Sequence, residues 1–345
     1  MSVYKRNSIF FLWIIKEDNL VASQGTNSQR PKRISYNKRS IFKLGLHVPM
    51  LIETNFMALK YKAKNLYKKF NGAKWTQRRQ FKSIFLNTYL FMNYIKCRNL
   101  NRIRGIKNNT EIIKVEIYSI AYNEKILLPY FVAHYRSRFP RCKITIYDNC
   151  STDDTAQLAS NLGCIVQTFN SGGRFSEDKL IEIKNNCWKG TDADWVIVCD
   201  IDELLDADLE RLQEECGTIL RTQGWDMIGG ETSYNFDFYA IDHGIKNKME
   251  SKHIAFKPRE ISEMNYAPGA HSCAPVGNVH YSYKIYNLYH YKYIYLDYVI
   301  ARHKMSAERL SNINKEMGWG VHYLIEEDRL RKMYEEHKKT MQKLF

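Results

Sequence analysis

Two aspartates separated by one residue, Asp200 and Asp202, are the side chains of this sequence best suited to bind a metal ion. They follow the apolar run at residues 195–199, which predicts a buried strand. Alternate residues of an extended segment point the same way, so both carboxylates are expected at one opening. Neighbouring carboxylates repel each other and favour a divalent cation between them, and their oxygens suit Mg²⁺ or Mn²⁺. Alone, the triplet is a weak signal, because such triplets are frequent in surface loops.

Two further polar patches also follow predicted strands. Residues 121–124 come at the end of a strand over 115–121, and residues 148–155 follow a strand over 143–147. Ligands of parallel sheets bind at the carboxyl ends of the strands, so the three patches predict one shared site. The second patch also has the pattern of an ordinary helix start, and both interpretations stay open.

The elements that position these patches alternate between strand and helix patterns. Further strands are predicted at 164–169 and 195–199, and helices at 127–138, from 151, and at 177–188. This alternation predicts an α/β fold with a Rossmann-like, mainly parallel sheet flanked by helices. Strands at 227–239 and 251–258 would build a smaller, partly antiparallel layer. Helices at 306–318 and 322–339 would pack behind it, with Arg309, Arg329 and Arg331 as surface charges.

The charge is distributed unevenly along the chain. The 345 residues carry a net charge of +15, and their 44% hydrophobic content excludes a wholly disordered protein. The excess of lysine and arginine lies in residues 1–110, whereas residues 111–345 are slightly acidic. We therefore expect a basic N-terminal region over 1–110, partly helical at 56–70 and 81–94 or disordered, and a separately folding domain over 111–345. The basic region could contact nucleic acid, anionic membrane or a polyanionic glycan.

Targeting and cysteine signals are sparse. The apolar run at 9–15 follows Lys5 and Arg6 like the start of a signal peptide, but charged residues 16–18 replace a cleavage site. No other stretch approaches the roughly 20 apolar residues that span a bilayer. We predict a cytoplasmic chain with peripheral contact to anionic membrane. The eight cysteines lack zinc-site spacing, which predicts reduced, mostly buried thiols.

The order and spacing of the polar patches resemble the family-2-like glycosyltransferases with a GT-A fold. The motifs that carry the resemblance are Ala121-Tyr122-Asn123-Glu124, Asp148-Asn149-x-Ser151-x-Asp153-x-Thr155 and Asp200-x-Asp202-Glu203. The sequence is most similar to the branch, shared by glycosyltransferase family 92, in which a Leu-Pro-x-aromatic-x-x-His helix follows, here residues 128–134. The similarity covers residues 115–304 and does not extend to residues 1–110.

The resemblance implies a nucleotide-sugar donor and a glycan, lipid or protein acceptor. The nucleotide would lie against residues at the first two motifs: Ala121, Asn123, Glu124, Asp148, Ser151 and Asp153. Arg174 and Lys179 would meet the phosphates, unless they are ordinary surface cations. Asp202 would bind Mn²⁺ or Mg²⁺ directly, and Asp200 would hold the ribose or a metal-bound water. His290 would complete the metal site, unless it is a buried histidine bonded among the tyrosines; His271 lies in a second histidine motif.

The resemblance also implies inversion at the anomeric carbon, which requires a general base for the acceptor hydroxyl. The sequence does not identify this base; Glu263 and Asp237 are the candidates, although most acidic residues in such segments are simply solvated, and Asp202 would contribute to catalysis through the metal. Three other hypotheses remain: a nucleic-acid-binding protein that uses residues 1–110, a nucleotidyltransferase, and an inactive sugar-binding homologue. No zinc-finger, P-loop or RNA-recognition pattern supports nucleic-acid binding, and residues 121–125 lack the glycines of a phosphate loop.

Overall fold

A computed structural model describes residues 86–92, 94–95, 113–230 and 236–345. Of the predicted N-terminal helices, the one at 56–70 lies outside the described residues. For the one at 81–94, residues 86–92 and 94–95 are helical. The basic character of residues 1–110 is a property of their sequence.

The first half of this domain is a parallel sheet with strand order β3-β2-β1-β4. The four strands are β1 (Val115–Ala121), β2 (Lys143–Asp148), β3 (Ile165–Thr168) and β4 (Trp195–Asp200). The connecting helices are α1 (Leu128–Arg138), α2 (Thr155–Asn161) and α3 (Glu177–Asn186). All four strands therefore present their carboxyl ends at one edge, which we call the carboxyl edge.

The second half extends the sheet beyond β4. Its strands are β5 (Glu203–Leu205), β6 (Ile219–Gly230), β7 (His243–Lys246), β8 (Ala255–Phe256), β9 (Ile261–Glu263), β10 (Val276–Gly277), β11 (Tyr281–Tyr295) and β12 (Gln342–Lys343). Its helices are α4 (Leu209–Gln213), α5 (Leu296–Arg309), α6 (Asn312–Met317) and α7 (Glu327–Thr340). Strand β8 pairs antiparallel with β4 and β6, whereas β11 pairs parallel with β6 and antiparallel with β5. Strands β9 and β10 form a separate antiparallel pair.

The predicted α/β class, a mainly parallel sheet flanked by helices with a smaller antiparallel part, is confirmed. Residues 195–199 of β4 are all apolar, as expected for a strand that is covered on both faces. Val196 and Ile197 are fully buried on opposite sides of the sheet. Ile197 belongs to the core beneath α1, whereas Val196 packs with Trp188, just beyond α3. Tyr135 of α1 also donates a hydrogen bond to the Glu203 carbonyl (3.0 Å), which fixes the segment after β4.

Several predicted element boundaries are wrong. The strand expected at 227–239 ends at Gly230, and residues 238–240 form a 3₁₀ turn. Only Ala255–Phe256 is strand in the predicted 251–258 segment. The helix expected at 306–318 is two helices, because Leu310 leaves the helical path to form a backbone bridge with Phe175. Helix α2 begins at Thr155 rather than Ser151, because residues 151–154 form a turn.

Two other expectations concern the oxidation state of the cysteines and the presence of membrane-spanning helices. Cys216 is disulfide-bonded, which corrects the expectation that all cysteines are reduced. The free thiols of the described chain are Cys142, Cys150, Cys164, Cys187, Cys199 and Cys273. Within the described ranges, no helix combines the length and the apolar character that crossing a membrane requires.

The contact between β6 and β11 gives a test of the fold. A Cβ added at Gly229 would lie 1.9 Å from the Ile294 carbonyl oxygen, whereas one added at the neighbouring Gly230 would have nothing within 4 Å. Gly229→Ala is therefore expected to lower the free energy of unfolding by about 2 kcal/mol or more, because the strands must separate. Gly230→Ala, the matched control, should stay within about 1 kcal/mol of the wild type. Urea denaturation measures both, and equal losses would contradict this strand pairing.

Candidate active site at the carboxyl edge

The loops after β1 and β2 are bonded to each other at the carboxyl edge. Asn123 has a left-handed backbone (φ 54°), and its amide oxygen accepts a hydrogen bond from the Thr152 N–H (2.8 Å). The Asn123 N–H donates to Ser151 Oγ (3.0 Å). Ala121, at the end of β1, is buried and accepts a hydrogen bond from the Asn149 N–H (2.9 Å). These bonds bring the first two motifs together as one surface.

Two buried carboxylates lie within this surface. Asp148 accepts a hydrogen bond from the Ser151 N–H (3.0 Å) through one oxygen, and its other oxygen is buried without a partner among the described residues. Glu124 forms an ion pair with Arg302 (2.5 Å), and its Oε2 is likewise buried and unpartnered. Burial raises the pKa of Glu124 to about 7, although Arg302 opposes the shift. Each of these carboxylates can therefore accept a further hydrogen bond from a ligand.

Other residues assigned to the nucleotide have mainly local partners. Asp153 accepts from the Thr155 N–H (2.9 Å) at the start of α2, so the structure gives it a helix-capping bond. Arg174 has an exposed side chain, while its carbonyl accepts a bond from Asn149. Lys179 is exposed and pairs with Glu182 (3.0 Å) on the same helix. Neither cation is bonded to the carboxylates at the strand ends.

Helix α5 covers the first motif, which the sequence did not indicate. The Arg309 guanidinium lies 3.1 Å from the centre of the Tyr122 ring, and it donates a hydrogen bond to the Gly173 carbonyl (3.2 Å). Arg302 donates to the Tyr122 carbonyl (3.4 Å) in addition to its pairing with Glu124. The expectation that Arg309 is a surface charge is therefore wrong, because both α5 arginines pack on the loop after β1.

Strand β4 and the turn after it deliver three acidic residues to the same edge. Asp200 is about one third exposed, and its two oxygens pair with Lys184 (2.7 Å) and Lys252 (3.5 Å). Burial opposes ionisation of Asp200, but the two lysines hold its pKa well below the usual range. Asp202 is half-buried, and within the described chain no side chain forms an ion pair or hydrogen bond with its carboxylate. Burial raises the pKa of Asp202, although His290 opposes the shift.

The pairing of β11 with β5 places His290 beside these carboxylates. His290 is opposite Glu203 in the antiparallel register, and the Tyr291 N–H donates to the Asp202 carbonyl (2.8 Å). One ligand atom from each of Asp202, Glu203 and His290 lies within 4.8 Å of the other two. The strand pairing thus joins residues that are far apart in sequence into one potential metal-binding group.

The immediate surroundings of His290 fit a cation. Its Nε2 lies 3.3 Å from the Glu250 carbonyl oxygen, which favours a proton on Nε2 and leaves a lone pair on Nδ1. Burial lowers the pKa of His290 to about 4, so the ring is neutral at pH 7. Nδ1 faces Glu203 Oε1 at 3.7 Å and Glu250 Oε2 at 3.6 Å, and this Glu250 oxygen is buried without a hydrogen bond. A divalent cation would satisfy these atoms, so the donor set fits Mn²⁺ or Mg²⁺.

Neither of the two candidate bases is bonded to this cluster among the described residues. Glu263 pairs with Lys189 (2.7 Å), which lies in a groove beside Glu116 and Lys143 at the amino ends of β1 and β2. That position is at the opposite edge of the sheet from Asp202. Asp237 is exposed and accepts a bond from the Tyr239 N–H (2.9 Å) at the start of a 3₁₀ turn.

The lysines that pair with the acidic residues were not among the residues predicted from the sequence. Lys252 contacts Glu203 (2.5 Å), and Lys292 contacts Glu250 (2.6 Å). Lys184 is buried on α3, three or four residues from Leu180, Ile181 and Trp188. A lysine on the apolar side of a predicted helix needs a buried acidic partner, and that spacing was the available signal. Lys252 and Lys292 gave no comparable signal.

Comparison with known proteins gives structural similarities only. No protein-family model and no curated protein matches this sequence. Residues 1–349 of Staphylococcus aureus TarS match 57% of this chain and 68% of that chain at 13% identity, with a TM-score of 0.33. A Pyrobaculum calidifontis mannosyltransferase, in complex with GDP-Man and Mn²⁺, matches 35% and 40% of the two chains at 16% identity (TM-score 0.23).

A third similar structure is the mannosyl-3-phosphoglycerate synthase of Rubrobacter xylanophilus. It matches 31% of this chain and 34% of that chain at 19% identity, with a TM-score of 0.22. This chain therefore spans less than half of the mannosyltransferase and of the synthase. At these low TM-scores, the similarities define no activity or substrate for this chain.

The burial of Glu124 predicts a pH-dependent stability. Its pKa is about 7 in the folded protein against 4.5 when exposed, so the folded state holds the proton more tightly. The stabilisation from this proton is complete below pH 4.5 and is lost as the pH rises to 7. Relative to Glu124→Gln, the wild type should lose about 3 kcal/mol between pH 4.5 and pH 8. Urea denaturation of both proteins across this range measures it, and a constant difference would contradict the burial of this carboxyl.

Proposed function

We propose that this protein is a glycosyltransferase that moves a sugar from a nucleotide-sugar donor to an acceptor hydroxyl with the help of Mn²⁺ or Mg²⁺. The observation that carries the proposal is the group formed by Asp202, Glu203 and His290 at the carboxyl edge, next to the loops after β1 and β2. Paired strand-end carboxylates with a histidine suit a hard divalent cation, and the neighbouring loops offer buried acceptors for a nucleotide.

The nucleotide would bind against the loops that follow β1 and β2. The unpartnered oxygens of Asp148 and Glu124 are acceptors for the N–H groups of a base or the hydroxyls of a ribose. Asn123 and Ser151 hold the two loops together, and Asp153 holds the start of α2. We propose Asp148 for the base or ribose, and Glu124 for positioning the loop through Arg302. Arg174, which is exposed beside this surface, is the candidate for a phosphate contact, with Lys179 as a second.

The donor diphosphate would bind next to Asp202. When bound, the cation supplies positive charge that stabilises the diphosphate as it leaves the sugar. Asp202 and His290 would hold the cation, since no side chain of the described residues pairs with the Asp202 carboxylate and the neutral His290 ring offers Nδ1. Asp200, one third exposed, would orient the ribose or a metal-bound water. The residues thus fix the leaving group, and direct attack by the acceptor would invert the anomeric centre.

The acceptor side is proposed to lie near the 3₁₀ turn at residues 238–240. Tyr130, which follows the first motif on α1, stacks on Phe238 with ring centres 4.3 Å apart, and Tyr239 is 76% exposed beside them. Exposed aromatic rings suit the apolar faces of sugars. Asp237 lies in this segment and remains the candidate base, whereas Glu263 lies at the other edge. A glycan, or a lipid or protein bearing a hydroxyl, fits this surface.

The alternatives are less favoured by the described residues. The strand-end cluster contains more carboxylates than lysines, and such a site repels the phosphates of nucleic acid unless a cation is bound. The loop after β1 contains no glycine, unlike the phosphate loops of nucleotidyltransferases. We propose that the basic residues of 1–110 supply peripheral contact with anionic membrane in a cytoplasmic enzyme, a role based on their charge alone.

Removing the carboxylate of Asp202 tests the proposed chemistry. The purified protein should hydrolyse or transfer from one of a panel of UDP-, GDP-, CMP- and TDP-sugars in the presence of Mn²⁺. Asp202→Asn should lower this rate by about 100-fold or more, because the cation loses a ligand. Chelation by EDTA should have the same effect on the wild type. Product formation by liquid chromatography measures both.

The matched control is Asp208→Asn, which makes the same change at the start of α4. Asp208 accepts a bond from the Arg211 N–H (2.8 Å), and asparagine caps helices equally well, so activity should be retained. Absence of turnover with every donor, together with no thermal stabilisation by any nucleotide in Mn²⁺, would overturn the proposed function.

A further inference from the structure

Two buried lysines, Lys184 and Lys252, and one half-buried lysine, Lys292, lie among the carboxylates of the candidate metal site. Lys184 comes from α3, Lys252 from the segment before β8, and Lys292 from β11. The lysines pair with Asp200, Glu203, Glu250 and Asp226 at distances of 2.5–3.7 Å. Lysines from three separate elements thus form a network of ion pairs with one acidic cluster.

These lysines form ion pairs with Asp200 and Glu203 but not with Asp202. Both oxygens of Asp200 face ammonium groups, Lys184 on one side and Lys252 on the other. Glu203 accepts from Lys252 through Oε1 and from the Asp200 N–H (3.2 Å) through Oε2. In contrast, the described chain supplies no such partner to the Asp202 carboxylate. The lysines therefore occupy the ligand atoms of Asp200 and leave those of Asp202 available.

The net charge of the cluster also favours a cation beside Asp202. Five carboxylates (Asp200, Asp202, Glu203, Asp226 and Glu250) surround the three lysines, which leaves a formal charge of −2. The nearby Glu124 is paired with Arg302 and lies outside this count. The residual charge is equal and opposite to that of one divalent cation. Without the lysines, the excess of carboxylates would hold cations more tightly.

We propose that Lys184 and Lys252 are positioning residues that hold Asp200 out of the cation's coordination shell, so that the ion binds Asp202 and His290. This inference rests on the proposed metal-dependent function. The Asp200 carboxylate, held by the two lysines, then stays at a fixed position beside the ion. There it can accept a hydrogen bond from the nucleotide sugar. A cation held by fewer protein ligands also keeps open positions for a diphosphate.

Lys184→Met is the variant that tests the proposal. Asp200 is 34% exposed on its side chain, so its carboxylate stays solvated after the lysine is lost. The freed carboxylate oxygen and the additional negative charge should tighten Mn²⁺ binding by about tenfold. Titration with Mn²⁺ alone, followed by electron paramagnetic resonance of the free ion, measures the dissociation constant. Lys252→Met is less suitable, because it would leave the buried Glu203 without its cation.

The double variant Lys184→Met/Asp200→Asn separates coordination from charge. It removes both members of the pair, so the formal charge returns to that of the wild type. If Asp200 is held outside the shell, the double variant should bind Mn²⁺ within about threefold of the wild type, whereas Asp202→Asn should lose binding. Lys189→Met, which removes an exposed lysine paired with Glu263 at the other edge, is the matched control and should leave the affinity unchanged.

The outcomes distinguish this inference from the function on which it rests. Tighter binding by Lys184→Met with recovery in the double variant supports the positioning role. Unchanged affinity in Lys184→Met, or binding at least about tenfold weaker in the double variant, overturns it while Mn²⁺ binding by the wild type leaves the proposed function intact. If neither the wild type nor Lys184→Met binds Mn²⁺, both proposals are wrong.

Discussion

The repulsion among buried carboxylates at the carboxyl edge is the constraint on which the rest of this structure depends. Asp200, Asp202 and Glu203 follow one strand, and Glu250 approaches them through the His290 side. Such a cluster is costly to bury unless cations compensate it. The protein supplies part of the compensation through lysines from three elements, and the remaining negative charge is what makes a divalent cation favourable at this place.

The strand pairings fix the positions of these side chains. Strand β4 is buried on both faces, so its end is fixed, and α1 holds the following segment through Tyr135. The register of β11 against β5 then places His290 opposite Glu203. On the other side of the site, α5 reaches the loop after β1 through Arg302 and Arg309. These contacts place the loops after β1 and β2 beside the group formed by Asp202, Glu203 and His290.

The sequence predicted the parallel half of the fold because each strand and helix there has a clear local period. It also selected Asp202 and His290, which the structure places together, through motif order and a family resemblance. It could not predict Lys252 or Lys292, since their roles depend on long-range pairing. The strand expected at 227–239 failed for a related reason: the aromatic residues near Phe238 have a strand-like composition, yet they pack as a cluster around a 3₁₀ turn.

We propose that one divalent cation binds between Asp202 and His290 beside a nucleotide. Crystals grown with Mn²⁺ and a nucleoside diphosphate, measured at the manganese absorption edge, test it most directly. The account predicts a single anomalous peak within bonding distance of the Asp202 carboxylate and His290 Nδ1, with the diphosphate on the ion and Asp200 still paired with Lys184. Nucleotide bound at the loops after β1 and β2 without such a peak, or a peak coordinated by Asp200 in place of Asp202, would contradict it.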